Sequence, residues 1–136
     1  MTRAELVAQA RTYLKVPYRH QGRSRDGADC VGLLVAIAED FGITIGYATN
    51  YNLHPELRIF AEGVLRYCNE VPIHDRQPGD IGLFRMTKGR WHTAIFTERD
   101  LMLHSSMKDR RVVEHRLDDA WRNSLVRAYT FKGLTE

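Results

Sequence analysis

One stretch of the sequence, residues 29–38, constrains the fold more than any other. It reads Asp-Cys-Val-Gly-Leu-Leu-Val-Ala-Ile-Ala, a polar residue and a cysteine followed by an almost uninterrupted apolar run. An aspartate before such a run is a favoured helix N-cap, because its carboxylate accepts the free N–H groups of the first turn. The pattern predicts a buried helix that begins at Cys30 and stops at Gly42, a typical residue after a helix C-terminus.

The position of Cys30 at this helix start has two interpretations. The positive end of the helix dipole stabilises a thiolate, which is the nucleophilic form of cysteine. A lone cysteine on an apolar helix is also common as a small core residue without a chemical role. A histidine close to the sulfur would favour the first interpretation, because a nucleophilic cysteine needs a base. The other cysteine, Cys68, is interpreted as structural, and both are expected to be free thiols.

The length and composition of the sequence predict a single domain, residues 1–136, that is large enough to bury a hydrophobic core. Of its 136 residues, 43% are hydrophobic and 27% are charged, as in ordinary globular domains. The net charge is +3 and the basic residues are scattered, which does not indicate nucleic-acid binding. No apolar stretch approaches the ~20 residues of a membrane span. Residues 1–15 are amphipathic and lack the features of a signal peptide, so we expect no export signal.

The first half of the chain has helical patterns. Thr2 and Glu5 have the spacing of a capping box, and the apolar residues that follow predict a first helix over about 3–14. The second helix covers about 30–41, after a polar loop. A third, more polar helix is predicted from residue 55 or 56 to about residue 68, which places Cys68 at its end.

The second half changes to β-rich runs separated by turn residues. Strands are predicted at 81–85, 91–97, 101–105, 111–116 and 126–131, with one helical turn over 118–122. Helices followed by an antiparallel meander indicate an α+β fold, in which the N-terminal helices pack on one side of a small sheet.

Two of the six histidines are candidates for the base. His92 alternates with Ala94 and Phe96 along a strand, which predicts that it faces the buried side of the sheet. His104 follows on the next strand after a tight hairpin, so the two rings can meet across the strands. Either could also be a satisfied core histidine. Three others are weak candidates, because they lie in polar connections or in an arginine-rich strand that looks exposed: His54, His74 and His115.

These residues predict a nucleophilic site. Cys30 would be the nucleophile, His92 the base and later the acid, and His104 the group that orients the ring of His92. The N–H of Cys30, next to Asp29, could stabilise an oxyanion, with the hydroxyl of Tyr18 as a second donor. Tyr18 could equally be a packing aromatic. A metal site built from the same cysteine and histidines is disfavoured, because no closely spaced ligand pair occurs. We therefore expect no metal and no cofactor.

Five short motifs, in this order and spacing, resemble those of the NlpC-type cell-wall cysteine peptidases, a papain-like family. They are the Pro-Tyr loop at 16–22, the nucleophile motif at 29–33, the Pro-Gly-Asp turn at 78–81, the histidine strand at 91–95 and the third-residue strand at 103–106. The resemblance implies the papain-like NlpC fold over almost the whole chain. It also implies a triad of Cys30, His92 and His104, and hydrolysis of a peptide bond in the peptidoglycan stem, often the one that follows D-glutamate.

The histidine-rich Pro-Tyr loop and the compact size look most like the branch of this family found in phage tails. That resemblance implies a virion protein of the tail tip, made in the host cytoplasm without a signal peptide and acting on the periplasmic cell wall. Residues 43–74 match none of the motifs, and Tyr47, Tyr51 and Leu53 give them an aromatic and apolar character. We expect this segment to contact other tail-tip proteins. Two alternatives stay open: a mainly structural tail-tip protein with incidental or lost activity, and an acyltransferase with the same Cys–His chemistry.

Overall fold

The computed structural model describes residues 1–45, 60 and 63–136. Its helices are α1 (Arg3–Arg11), α2 (Cys30–Asp40) and α3 (Asp119–Ser124), with short 3₁₀ helices at Val64–Tyr67, Ile73–Asp75 and Thr87–Gly89. Its strands are β1 (Arg23–Ser24), β2 (Gly27–Ala28), β3 (Cys68–Val71), β4 (Ile81–Arg85), β5 (Trp91–Glu98), β6 (Leu101–Ser106), β7 (Arg111–Arg116) and β8 (Leu125–Phe131). The predicted α+β class is confirmed.

Strands β3 to β8 form one antiparallel sheet in the order β3-β8-β4-β5-β6-β7. Strands β4, β5, β6 and β7 follow one another as a meander, as the turn residues of the sequence predict. The short strands β1 and β2 form a separate hairpin in the loop before α2.

Helix α2 is the centre of the main core. All nine residues from Cys30 to Ala38 are buried, and the helix packs against α1 and against strands β5 and β6. A second, smaller cluster lies beneath α3, on the residues Phe84, Ala94, Phe96, Met102 and Leu117. Since successive side chains of β5 point to opposite faces, Ile95 joins the main core while Ala94 and Phe96 join the smaller cluster.

Helix α1 begins as predicted and ends earlier. The hydroxyl of Thr2 accepts the N–H of Glu5 at 3.0 Å, which is the predicted cap. The helix stops at Arg11 rather than near residue 14, because Lys15 has a left-handed backbone (φ 74°) and donates its N–H to the carbonyl of Val112. The helix therefore ends before Pro17, because the backbone turns at Lys15 to contact strand β7.

The prediction for Cys68 is wrong in its local structure. Cys68 opens strand β3, opposite Phe131 of β8, and does not end a helix. The short 3₁₀ helix Val64–Tyr67 precedes it, and about half of the predicted third helix lies outside the described residues. So do Tyr47, Tyr51 and Leu53 of the predicted contact segment. Among the described helices, none is long and apolar enough to cross a membrane.

Candidate active site

The loop before α2 holds the helix start through Asp29. This residue is fully buried, and its carboxylate accepts the N–H of Gly32 at 2.7 Å and the N–H of Gln21 at 2.9 Å. Its own N–H donates to the carbonyl of Gly22 at 3.1 Å. The predicted N-cap is confirmed, and the geometry gives the Asp29 carboxylate a positioning role beside Cys30.

The sulfur of Cys30 lies against strand β5, with 5% of the residue exposed. The backbone N–H and the hydroxyl of Thr93 and the N–H of Val31 each act to lower the pKa of the thiol. Burial and the charge of Asp29 outweigh them and raise the pKa of Cys30 to about 12. Burial therefore opposes the stabilisation of a thiolate at the helix start and favours the neutral thiol.

His92 and His104 meet as predicted. Nε2 of His92 and Nδ1 of His104 are 2.7 Å apart, and the rings pack edge to face with centroids 4.8 Å apart. Burial lowers the pKa of His92 to about 4, and it also lowers the pKa of His104. Both rings are thus neutral near pH 7, and His92 is left with Nδ1 as the nitrogen available to a thiol.

A third histidine extends this pair. Nε2 of His115 lies 2.8 Å from Nε2 of His104, and Nδ1 of His115 lies 2.8 Å from the carbonyl oxygen of Arg116. The interpretation of His115 as an exposed, weak candidate is wrong, because it is half-buried against His104. The strand register contains the signal: Val113 pairs with His104, so the residue two positions further on the same face is its diagonal neighbour.

Trp121 of α3 covers the three histidines. Its ring centroid lies 5.7 Å from that of His92, 5.2 Å from that of His104 and 5.9 Å from that of His115. The sequence indicates only one helical turn there. The contact depends on how the turn folds back over the sheet, which local sequence patterns do not specify.

A cavity of about 700 Å³ opens on the histidine side of the site. Its lining includes the three histidines, Trp121 and four charged residues, which are Arg90, Lys108, Asp109 and Asp118. Cys30 is not part of the described lining. Among the described hydrogen bonds, the site pairs His92 with His104 and none joins Cys30 to His92. Thr93, whose N–H and hydroxyl act on the thiol, is the strand neighbour of His92.

Tyr18, in the loop before α2, lies close enough to the thiol for the two groups to interact electrostatically. Burial and the charges of Cys30 and Asp29 raise the pKa of Tyr18 to about 12, so its hydroxyl stays protonated and able to donate. The Tyr18 N–H donates to the carbonyl of Arg110 at 2.9 Å. Nearby, the buried hydroxyl of Ser105 donates to the carbonyl of Ala28 at 2.6 Å. These bonds join the loop before α2 to strand β6 and to the turn that precedes β7.

The arrangement suits acid–base chemistry better than metal binding. His104 uses both ring nitrogens on its histidine neighbours, so the three rings form a line and do not converge on one point. Within the described part of the chain, no group of histidine, cysteine and carboxylate side chains has the geometry of a metal site.

Comparison with known proteins identifies the fold and the family. The model of the NlpC/P60 family matches residues 15–130, which include every residue of the site. The chain belongs to the NlpC/P60 family. This confirms the resemblance of the five motifs at the level of the family. No curated protein matches the chain.

Solved structures share the NlpC/P60 fold along nearly the whole chain. The NlpC/P60 domain of the peptidoglycan hydrolase SagA is 19% identical, with a TM-score of 0.70, and the match covers 96% of this chain and 100% of that domain. A family protein from Bacillus cereus is 24% identical (TM-score 0.72; 94% of this chain, 39% of that one). The peptidoglycan hydrolase RipB from Mycobacterium tuberculosis is 21% identical (TM-score 0.64; 94% and 63%). The chain thus spans one whole domain but less than two thirds of the latter two proteins.

Proposed function

We propose that this protein is a cysteine peptidase that cleaves a peptide bond in the peptidoglycan stem. In this proposal Cys30 is the nucleophile, His92 is the base and then the acid, and His104 orients His92. The observation that supports it is the 2.7 Å contact between Nε2 of His92 and Nδ1 of His104, which reserves the other nitrogen of His92 for the thiol. Membership of the NlpC/P60 family and the two peptidoglycan hydrolases of the same fold support the substrate class.

The reaction starts from a neutral pair. Because burial raises the pKa of Cys30 and lowers that of His92, the proton leaves Sγ for Nδ1 of His92 as the sulfur attacks the carbonyl carbon. Hydrogen bonds of this kind are often long before substrate binds and tighten in the complex. The oxyanion is stabilised by the N–H of Cys30, which has no partner within the helix, and by the hydroxyl of Tyr18.

The intermediate then collapses into two products. The C–N bond breaks, the amine leaves with the proton from Nδ1 of His92, and an acyl thioester remains on Cys30. A water molecule gives a proton to His92, attacks the thioester and releases the carboxylate product. The thiol recovers its proton in the last step, so the enzyme returns to its neutral state.

Digestion of peptidoglycan tests this proposal. Purified sacculi are incubated with the wild type, with Cys30→Ser and with Cys68→Ser, and the released fragments are identified by mass spectrometry. We expect the wild type and Cys68→Ser to release fragments with a new amine and a new carboxylate within the stem, and Cys30→Ser to release none. Equal digestion by Cys30→Ser would refute the assignment of the nucleophile. If the wild type releases no stem fragments, the domain has a different substrate or a mainly structural role.

We also propose that the protein is a component of a phage tail tip, where it acts on the cell wall during infection. The histidine-rich Pro-Tyr loop at 16–22 supports this location, through its resemblance to the tail-associated branch of the family. The proposal includes contacts with other tail-tip proteins through residues 43–74. Proteomics of purified virions tests the location: the protein should be present in intact particles, and its absence would refute the proposal.

A further inference from the structure

The hydrogen bonds of the three histidines can be assigned a direction. They form one chain, His92 to His104 to His115 to the carbonyl oxygen of Arg116, with separations of 2.7, 2.8 and 2.8 Å. A ring nitrogen of a neutral histidine either donates or accepts, and which one it does is set by its partner. A carbonyl oxygen only accepts. The last member of the chain therefore determines all the others.

When each ring carries one hydrogen, the assignment runs inward from the Arg116 carbonyl. Nδ1–H of His115 donates to the Arg116 carbonyl, so Nε2 of His115 carries a lone pair. His104 must then donate through Nε2–H, which leaves a lone pair on its Nδ1. His92 must donate through Nε2–H, which leaves a lone pair on its own Nδ1. The opposite direction would set a lone pair of His115 against the carbonyl oxygen, which is repulsive.

We infer that His115 is a positioning residue that keeps His92 in the tautomer able to accept the thiol proton. The inference rests on the proposed roles of Cys30 and His92. A base with its hydrogen on Nδ1 could not take a proton from Sγ, so the distant carbonyl and His115 act on the reaction through His104. When His92 does accept the proton at Nδ1, its Nε2–H still donates to His104, and every bond of the chain is kept.

The surroundings of the three histidines make the direction of their hydrogen bonds important. His104 is 3% exposed and Trp121 packs against all three rings, so the ring of His104 is largely shielded from water. A buried N–H without an acceptor destabilises the protein. If His115 is lost, His104 is therefore expected to turn its hydrogen towards Nδ1, and His92 must then become the acceptor in their shared bond.

A pair of substitutions at residue 115 separates the acceptor from the ring. His115→Phe keeps an aromatic ring against Trp121 but removes the acceptor for His104. His115→Gln removes the ring but places an amide oxygen near the position of Nε2, where it can accept from His104. His74→Asn is the matched control, because His74 is an exposed histidine in the 3₁₀ helix Ile73–Asp75.

Two readouts are measured on each protein. Long-range proton–nitrogen NMR of the histidine side chains reports the tautomer of His92 without substrate, and assays on peptidoglycan give kcat and KM. We expect His115→Phe to lose the Nε2–H tautomer of His92 and to lower kcat by about 10- to 100-fold at nearly constant KM, less than the roughly 10²–10⁴-fold effect of losing a general base. His115→Gln and His74→Asn are expected to keep the wild-type tautomer and to stay within a few-fold of its kcat.

The two readouts also separate the possible failures. An unchanged His92 tautomer in His115→Phe overturns this inference, whatever the activity. A lost tautomer with unchanged kcat overturns the role of His115 in catalysis. If the wild type does not act on peptidoglycan, the proposed function fails, while the NMR result still decides whether His115 sets the tautomer of His92.

Discussion

Replacing Gly32 by alanine tests how the helix start is built. A Cβ at this position would lie 1.8 Å from the carbonyl oxygen of Gly22 and 2.9 Å from Oδ1 of Asp29. The first distance must grow to 3.4–4 Å for an ordinary contact, and the atom in the way belongs to the backbone. The loop before α2 therefore has to move away from the helix, by more than an ångström.

The expected loss of stability in Gly32→Ala has two contributions, crowding and a broken hydrogen bond. Crowding of this kind costs about 1–3 kcal/mol. Moving the Gly22 carbonyl also breaks its bond to the N–H of Asp29, and a buried N–H left unpaired costs about 1–3 kcal/mol. Alanine regains about 1 kcal/mol over glycine inside a helix. The free energy of unfolding of Gly32→Ala should thus fall by about 1–5 kcal/mol, the balance of these values.

Urea unfolding of wild type, Gly32→Ala and Gly42→Ala measures this effect. Gly42 follows the other end of α2, with φ +81° and nothing within 4 Å of an added Cβ, so its replacement costs only the left-handed backbone, about 1–2 kcal/mol. Because the displaced loop adjoins Cys30, peptidoglycan digestion by Gly32→Ala should also fall, by about 10²-fold for a 1 Å displacement. A Gly32→Ala protein as stable as the wild type would refute this account of the helix start.

Two further predictions follow from the site. Since burial raises the pKa of Cys30 to about 12, the difference in ultraviolet thiolate absorbance between wild type and Cys30→Ser should show no ionisation step below about pH 9; a step near neutral pH would show a preformed ion pair instead. Ser105→Ala removes the 2.6 Å hydrogen bond to the Ala28 carbonyl and should lower the free energy of unfolding by about 0.5–1.5 kcal/mol in urea titrations, because that carbonyl keeps the N–H of Arg19 as a donor. An unchanged midpoint would contradict the role of this bond.

The parts of the site that lie on regular elements could be predicted from the sequence. Asp29 and Cys30 are recognisable because an N-cap and an apolar run are local patterns. His92 and His104 are recognisable because alternation along a strand and a tight hairpin determine which side chains share a face.

The remaining parts depend on long-range packing. His115 is hidden in an arginine-rich strand, and its contact with His104 follows from the β6–β7 register rather than from composition. Trp121 reaches the histidines only because α3 folds back over the sheet. The neutral state of Cys30 could not be predicted either. Its pKa is set by how deeply the loop and strand β5 bury the sulfur, and this outweighs the helix start.

The most direct test of the central claim is to trap the acyl-enzyme. Wild-type protein is mixed with purified stem peptides, quenched in acid during turnover, and examined by intact-mass and peptide mass spectrometry. The account predicts a covalent adduct on the enzyme fragment that contains Cys30, with the mass of the acyl portion of the cleaved stem peptide. More of this acyl-enzyme should accumulate when the attack of water on the thioester is slowed. Turnover without any adduct on Cys30, or an adduct on Cys68 in its place, would contradict the claim that Cys30 is the nucleophile.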